Sequence, residues 1–184
     1  VHRIGVILLF ITGLWAVTQR ATLAVLVPDG SDTPGVVESY SNASFTVNYN
    51  PASCQGNVTD WPPDAAAAMN HVADILDDLL TNNGTIVIAA CYEVQEAGTL
   101  AAAGPETSVE ACASGGGSLP VANTAYPVAL ANALCGADQN GASPEISASA
   151  NSIVNWDFCT TNCTWPDTDK FDFVSTMLHE LLHG

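Results

Sequence analysis

The chain has 184 residues, 48% of them hydrophobic, which is enough to bury the core of one domain of ordinary size. Nineteen acidic residues against three basic ones give a formal net charge of −16. This charge repels nucleic acids and anionic membranes and disfavours phosphate binding, so it excludes those partners and indicates an acidic, well-solvated surface.

The first residues have the pattern of a secretory signal peptide. Arg3 precedes the apolar run 4–17, which is short for a membrane span, and small residues follow at 22–24. We therefore predict a cleaved signal peptide at residues 1–24 and a secreted, extracellular protein without a membrane partner. The alternative is a protein anchored at the cell surface, because residues 21–27 extend the apolar stretch.

A flexible segment and then a strand are predicted next. Residues 25–43 are rich in Gly, Pro, Ser and Asp, which predicts a flexible segment ahead of a single domain at 44–184. Ser44–Tyr49 alternates apolar and polar side chains, and this alternation predicts a β-strand with one buried face.

A long helix and a buried strand are predicted after it. The helix spans Trp61–Thr81, with prolines and Asp64 suited to its first turn and Asn82–Gly84 suited to its cap. Its apolar stripe consists of Ala65, Met69, Val72, Leu76 and Leu79. Thr85–Glu93 is nearly continuously apolar, as in a central strand covered on both faces. Strand, long helix and strand together predict a crossover between parallel strands.

The middle of the chain reads as loop with short elements. We predict a loop over 98–127, with a short strand near 118–123, and a helix over Val128–Leu134 that ends at Gly136. The alternation in Ser143–Asn151 predicts another strand.

The segment ahead of the C-terminal helix contains turns and acidic residues. Asn155–Cys159 is predicted to form a last strand or turn, and Asp167–Asp169 to cap the helix that follows. Calcium is a further candidate ligand of this region, because it prefers oxygen donors. The candidate donors are Asp138, Asn140, Asp157, Asp167 and Asp169, for which capping and turn roles are the alternative.

Six cysteines form an even set in a chain that carries an export signal, so disulfide bonds are predicted. They are Cys54, Cys91, Cys112, Cys135, Cys159 and Cys163. Spacing alone leaves their pairing open. For Cys159 and Cys163 a small disulfide loop is preferred to a zinc pair, because no second cysteine pair follows at suitable spacing.

The last residues, 171–184, predict a helix that carries the spacing HExxH. His179 and His183 are four residues apart and so lie on one helical face, where both imidazoles can reach one metal ion. Glu180 projects beside them, towards the water molecule that such an ion would activate. We therefore predict a Zn²⁺ site with two histidine ligands and a glutamate general base.

The alternative is that the two histidines are ordinary helix-surface residues. Against it, only four histidines occur in the chain and two of them fall in this motif. The neighbouring apolar residues also predict a buried helix, on which ionisable groups need partners. These residues are Val174, Met177, Leu178, Leu181 and Leu182.

The stretch Leu178–Gly184 resembles the start of the HExxHxxGxxH zinc helix of metzincin-like metallopeptidases. It is most similar to secreted microbial members that read HELGHGLGF, although Leu182 stands where that subgroup has Gly. The resemblance implies an α/β (α+β) fold with a zincin-like N-terminal subdomain, a mixed twisted sheet, a long crossover helix and a C-terminal HExxH active-site helix. It also implies that the third zinc ligand, a chain-reversing Gly and a Met-turn follow Gly184.

The resemblance also implies a place for the substrate. In these peptidases an edge strand borders the cleft and precedes the active-site helix, and by resemblance Glu145–Asn151 is that strand. Its backbone would bind an extended protein or peptide substrate by β-augmentation. The substrate-binding residues implied are Glu145, Ile146, Ser147, Ala148 and Ser149.

The function predicted is that of a secreted zinc-dependent endopeptidase, with Glu180 as the catalytic base and His179 and His183 as zinc ligands. Without the third ligand we expect the 184-residue chain to bind zinc weakly and to hydrolyse little. The rival function is a non-catalytic extracellular binding or adhesion domain in which the HExxH helix is inactive.

Overall fold

The computed structural model describes residues 44–80, 84–163 and 169–184. The predicted signal peptide, 1–24, and the predicted flexible segment, 25–43, lie outside the described residues. None of the helices in the described ranges has both the length and the apolar character that a membrane span requires.

The described chain is a mixed α/β structure with one four-stranded sheet, two small two-stranded sheets and three helices. In chain order the elements are β1 Ser44–Tyr49, α1 Pro63–Leu79, β2 Thr85–Glu93, β3 Ala101–Pro105, β4 Ser108–Val109, β5 Tyr126–Pro127, α2 Val128–Cys135, β6 Ile146–Asn151, β7 Trp156–Asp157, β8 Phe171–Asp172 and α3 Phe173–Leu181. This confirms the predicted α/β class and its mixed sheet.

The main sheet has the strand order β1-β2-β6-β3. Strands β1, β2 and β6 are parallel neighbours, whereas β3 runs antiparallel to β6. The predicted parallel crossover is confirmed, because α1 connects β1 to β2 and Ser44 pairs with Thr85 in register. β2 is a central strand, as its apolar sequence predicts, with most of its side chains buried.

Helix α1 begins where the prolines predict and buries its apolar stripe against the sheet. Pro63 is its first residue and Asp64 lies in its first turn, near the positive end of the helix dipole. Its buried residues are Ala65, Ala68, Met69, Val72, Ala73 and Leu76. The prediction was wrong for Leu79, which is 71% exposed because it is the last helical residue. The cap residue is Leu80, so the helix ends before the cap predicted at Asn82–Gly84, of which Asn82 and Asn83 lie outside the described residues.

The segment 98–127 is not only loop. It contains β3, β4 and β5, and no strand forms at 118–123, where the sequence predicted one. β3 escaped prediction because its sequence, Ala-Ala-Ala-Gly-Pro, lacks β-branched and aromatic residues; its pairing with β6 creates the strand. Helix α2 ends at Cys135 and is capped by Gly136, as predicted, and Gly136 has a left-handed backbone (φ 69°).

The glycine run 115–117 lets its backbone contact the backbone at the end of α2. The Gly117 N–H donates a 3.0 Å hydrogen bond to the Cys135 carbonyl oxygen. A Cβ atom at Gly117 would lie 1.9 Å from the Leu134 carbonyl oxygen, so no other residue fits there without a shift. The disulfide between Cys112 and Cys135 holds the same two segments together.

All six cysteines are paired, as predicted. The disulfides join Cys54 to Cys91, Cys112 to Cys135 and Cys159 to Cys163. The first ties the loop after β1 to the central strand β2, and the last is the small structural loop that the spacing favoured.

An aromatic cluster joins the segment before α1, the sheet and the start of α3. The ring centroids of Tyr49 and Trp61 lie 5.1 Å apart, those of Trp61 and Tyr92 5.1 Å, those of Trp156 and Phe173 5.2 Å, and those of Phe158 and Phe173 5.1 Å. Phe173, the first residue of α3, is fully buried among these rings. The cluster therefore anchors the helix that carries the candidate site.

Candidate active site

Helix α3 begins at an aspartate cap. The Asp172 carboxylate accepts a 2.6 Å hydrogen bond from the Ser175 N–H, and the Thr176 hydroxyl donates to the Asp172 carbonyl oxygen at 2.7 Å. This corrects the cap predicted at Asp167–Asp169. Asp167 lies outside the described residues, and Asp169 precedes β8, where its carbonyl oxygen accepts from the Asn155 amide at 2.9 Å. Capping of this kind contributes about 0.5–2 kcal/mol to helix stability.

The HExxH stretch is not helical throughout. Helix α3 ends at Leu181, and His183 lies in the following turn, where its N–H donates to the Glu180 carbonyl oxygen at 2.9 Å. This bond spans three residues instead of four, as at many helix ends. Met177 and Leu181 are buried as predicted, but Leu182 is 71% exposed because the helix ends before it.

The two imidazole rings of the motif converge. The Nε2 atoms of His179 and His183 are 3.4 Å apart, and the ring planes are nearly perpendicular at 82°. Both side chains are exposed, so an ion from solvent can reach the nitrogens. Two neutral imidazoles can also share one hydrogen bond at this distance, which is the structural alternative to a metal site.

The separation of these nitrogens fits a zinc ion. Tetrahedral zinc with Zn–N bonds of ~2.0–2.1 Å places two ligand nitrogens about 3.3–3.4 Å apart. The pair therefore meets the distance requirement for zinc. Within the described residues, no group of three or more His, Cys, Asp and Glu side chains is arranged to hold a metal ion, so a third protein ligand is not found among them.

An open groove runs along α3 beside β3. Its volume is about 520 Å³, and it is lined by Gly98, Thr99, Leu100, Ala101, Ser175, Thr176, His179 and Glu180. Glu180 and His179 thus face one cavity, which has the segment leading into β3 as its other wall. A small molecule or a peptide segment in the groove would touch the carboxylate and one of the two imidazoles.

The strand next to the groove has a free backbone edge. β3 is terminal in the four-stranded sheet and pairs only with β6 among the described strands. The Leu100 carbonyl oxygen accepts from the Asn151 N–H, and the Glu106 N–H donates to the Glu145 carbonyl oxygen, so even-numbered residues of β3 face β6. By alternation, the backbone groups of Ala101 and Ala103 point outward.

The edge-strand assignment of Glu145–Asn151 was wrong. β6 is internal, because its two backbone edges bond to β2 and to β3. Glu145 is 3% exposed, and its carboxylate accepts from the Val87 N–H at 2.7 Å and from the Asn132 amide at 3.2 Å. Its role is to tie β2 to α2. Alternation in the sequence identifies a strand with two different faces but not its partners, which is why β3 and not β6 occupies the edge.

One buried asparagine connects β6 to the groove wall. Asn151 is 1% exposed, and its amide nitrogen donates to the Thr99 carbonyl oxygen at 2.7 Å. Its amide oxygen accepts from the Gln95 N–H at 3.2 Å, and its carbonyl oxygen accepts from the Trp156 indole N–H at 2.9 Å. The sequence gives no sign of this role beyond an Asn at a strand end.

The candidate calcium donors make local hydrogen bonds. The Asp138 carboxylate accepts from the N–H groups of Asn140 and Gly141, both at 2.8 Å, and the Asp157 carboxylate accepts from the Cys159 N–H at 3.1 Å. These are the turn and capping roles that were the alternative to calcium binding, and calcium stays a prediction.

Comparison with protein-family models, with curated proteins and with solved structures gives no match. The functional conclusion therefore depends on three features of the groove: the converging imidazoles, the carboxylate beside them and the outward-facing edge of β3.

Proposed function

We propose that the protein is a secreted zinc-dependent endopeptidase with a zincin-like arrangement of its sheet and its active-site helix. His179 and His183 would hold Zn²⁺ through their Nε2 atoms, and a third ligand would come from outside the described residues. The observation that carries the proposal is the 3.4 Å separation of the two Nε2 atoms, next to a groove lined by Glu180. The resemblance of Leu178–Gly184 to the metzincin-like zinc helix supports the same conclusion.

Glu180 has the chemistry of a general base in this groove. Zinc, when bound, supplies a Lewis acid that polarises the scissile carbonyl and lowers the pKa of a water molecule. The Glu180 carboxylate would accept a proton from water and deliver it to the leaving amine. The half-buried position of Glu180 on the groove wall keeps the carboxylate close to a bound peptide.

The β3 edge offers a way to hold an extended peptide. Ala101 and Ala103 present outward N–H and C=O groups, and a peptide strand can pair with them by β-augmentation. Pro105 has no N–H, so its outward face can only accept a hydrogen bond. A substrate paired with this edge would pass the groove that His179 and Glu180 line, which is why we assign the edge to peptide binding in place of β6.

The disulfide bonds support an extracellular location. Three disulfides in the described chain fit an oxidising compartment, where such bonds persist. The signal peptide predicted from the sequence also supports secretion.

The test is a paired measurement of zinc content and peptide hydrolysis. A full-length version of the protein that includes the third ligand, purified without chelators, should carry stoichiometric zinc and cleave peptides, and a chelator should abolish both. His179→Ala and His183→Ala should lose the zinc, whereas His71→Ala, a change of the histidine on α1, should retain it. Glu180→Gln should keep the zinc and lose hydrolysis by about 10²-fold or more, because it removes the base alone.

Two results would overturn the proposal. One is a purified full-length protein without zinc in which His179→Ala changes nothing. The other is a peptide-binding or adhesive activity that Glu180→Gln leaves intact while no peptide is cleaved, which would establish the non-catalytic binding domain instead.

A further inference from the structure

We propose that the groove selects extended peptides that carry lysine or arginine side chains on both sides of the segment bound at β3. This inference rests on the proposed peptide-binding role of the groove and adds the chemical class of its ligand. It is carried by two observations: the side chains of β3 are too small to discriminate between peptides, and acidic side chains flank the strand at both ends.

The side chains along the free edge offer little selectivity of their own. β3 consists of three alanines, a glycine and a proline. Methyl groups and hydrogen atoms cannot build deep side-chain pockets, and backbone hydrogen bonds are the same for every peptide sequence. Discrimination between peptides must therefore come from groups beyond the strand.

Acidic residues lie in the chain both before and after β3. Glu96 precedes the groove wall, where its carbonyl oxygen accepts a 3.1 Å hydrogen bond from the Thr99 N–H. Glu106 follows β3 directly, and its backbone N–H bonds inward to Glu145. Both glutamate side chains are exposed. From Ala101 to Glu106 an extended chain covers about 17 Å, so a peptide of six or so residues paired along β3 runs from just after the Glu96–Thr99 turn to Glu106.

The rest of the described chain adds to the same negative field. Of the three basic residues only Lys170 lies within the described residues, whereas all but four of the 19 acidic residues do. The four outside are Asp29, Asp32, Glu38 and Asp167. A field of one sign raises the association rate of oppositely charged ligands about tenfold or more, and salt screens it over a Debye length of about 8 Å at physiological ionic strength.

The inference is tested by binding, with Glu180→Gln as the background that leaves peptides intact. Two fluorescent peptides share a neutral central segment and carry either lysines or glutamates on both sides. Fluorescence anisotropy should give a dissociation constant about tenfold lower for the lysine peptide at low salt, and this difference should shrink as salt is added.

A charge-matched control separates the groove from the net charge. Glu96→Gln with Glu106→Gln should reduce the preference for the lysine peptide to about threefold or less. Asp74→Asn with Asp78→Asn removes the same charge from the exposed face of α1 and should leave the preference nearly unchanged. An equal loss in both double variants would overturn the inference, because the preference would then come from the whole surface.

The remaining outcomes decide the inference and the proposed function separately. Equal binding of the two peptides, tighter binding of the glutamate peptide, or binding of neither overturns the inference. If the wild-type protein cleaves both peptides at the same rate, the peptidase proposal stands and the inference fails. If the lysine peptide binds selectively but is never cleaved, the inference stands and the peptidase proposal fails.

Discussion

The amide nitrogen of Asn151 lies 2.7 Å from the carbonyl oxygen of Thr99, and this hydrogen bond joins the end of an internal strand to the wall of the candidate groove. The backbone N–H of Asn151 bonds to the next carbonyl, that of Leu100, at 2.9 Å. Two successive residues of the wall are thus held by one buried residue. Asn151 is a positioning residue for the groove, since it does not line the cavity itself.

Replacing Asn151 by Asp should weaken peptide binding without loss of zinc. The change removes the amide donor and places a carboxylate against the Thr99 carbonyl oxygen, at a cost of about 1–3 kcal/mol in unfolding free energy. KM for peptides should rise more than kcat falls, because the wall moves while Glu180 and the histidines stay in place. Asn155→Asp is the control: it also removes a side-chain amide that bonds to a carbonyl oxygen, that of Asp169, away from the groove. Equal KM values for the two variants would contradict the positioning role.

Gly184→Ala should lower zinc affinity through crowding. A Cβ atom at Gly184 would lie 2.8 Å from both Cγ atoms of Ile146, so the turn that carries His183 must shift. Overpacking of this kind costs about 1–3 kcal/mol, and competition with a chelator should show weaker zinc binding. Adding Ile146→Ala makes room and should restore part of the affinity. Gly116→Ala meets no atom within 4 Å and should have no effect; an effect of equal size there would argue against crowding.

Ala103→Pro should weaken peptide pairing at the β3 edge while the protein still folds. The N–H of Ala103 faces away from β6, and proline is tolerated at such edge positions because no ladder hydrogen bond is lost. Loss of one hydrogen bond to the peptide should raise its dissociation constant by up to about tenfold, measured by anisotropy. Ala102→Pro removes an inward N–H and should lower the thermal midpoint instead. Unchanged peptide binding by Ala103→Pro would show that peptides do not use this edge.

Stability should fall at alkaline pH, partly through Tyr49. Burial raises the pKa of Tyr49 from its usual 10.0 to about 12, and its hydroxyl lies 2.9 Å from the Ala66 carbonyl oxygen and 2.8 Å from Asn70 Oδ1. Between these two pH values the unfolded chain has lost the phenolic proton and the folded chain has kept it. The contribution of Tyr49 to the free energy of unfolding is therefore complete below pH 10.0 and is lost as the pH rises towards about 12. Burial raises the pKa of Tyr92 as well, which acts in the same direction.

The measurement is urea unfolding of wild type and Tyr49→Phe between pH 8 and pH 12. The variant should be less stable at pH 8 by about 0.5–1.5 kcal/mol, since it loses the hydroxyl contacts. Its stability should then decline less steeply above pH 10.0. Parallel curves for the two proteins over the whole range would show that Tyr49 does not contribute to the decline.

The elements that the sequence determined are those whose signals are local. Proline and Asp64 mark the start of α1, and Gly136 marks the end of α2. Apolar β-branched residues mark β2. Each of these residues acts on the backbone angles or the dipole of its own turn or strand. The HExxH spacing predicted that His179 and His183 share a face, and their Nε2 atoms do lie 3.4 Å apart, although His183 lies in the turn after α3.

What only the tertiary structure decided depends on residues far apart in the chain. β3 has no intrinsic strand signal and exists because β6 supplies its hydrogen bonds, and β6 becomes internal for the same reason. Asn151 reaches the groove wall across 52 residues of sequence. Alternation and propensity describe one segment at a time, whereas strand partners, edges and buried polar contacts are set by the packing of several segments, so the second wall of the groove could be found only in the folded chain.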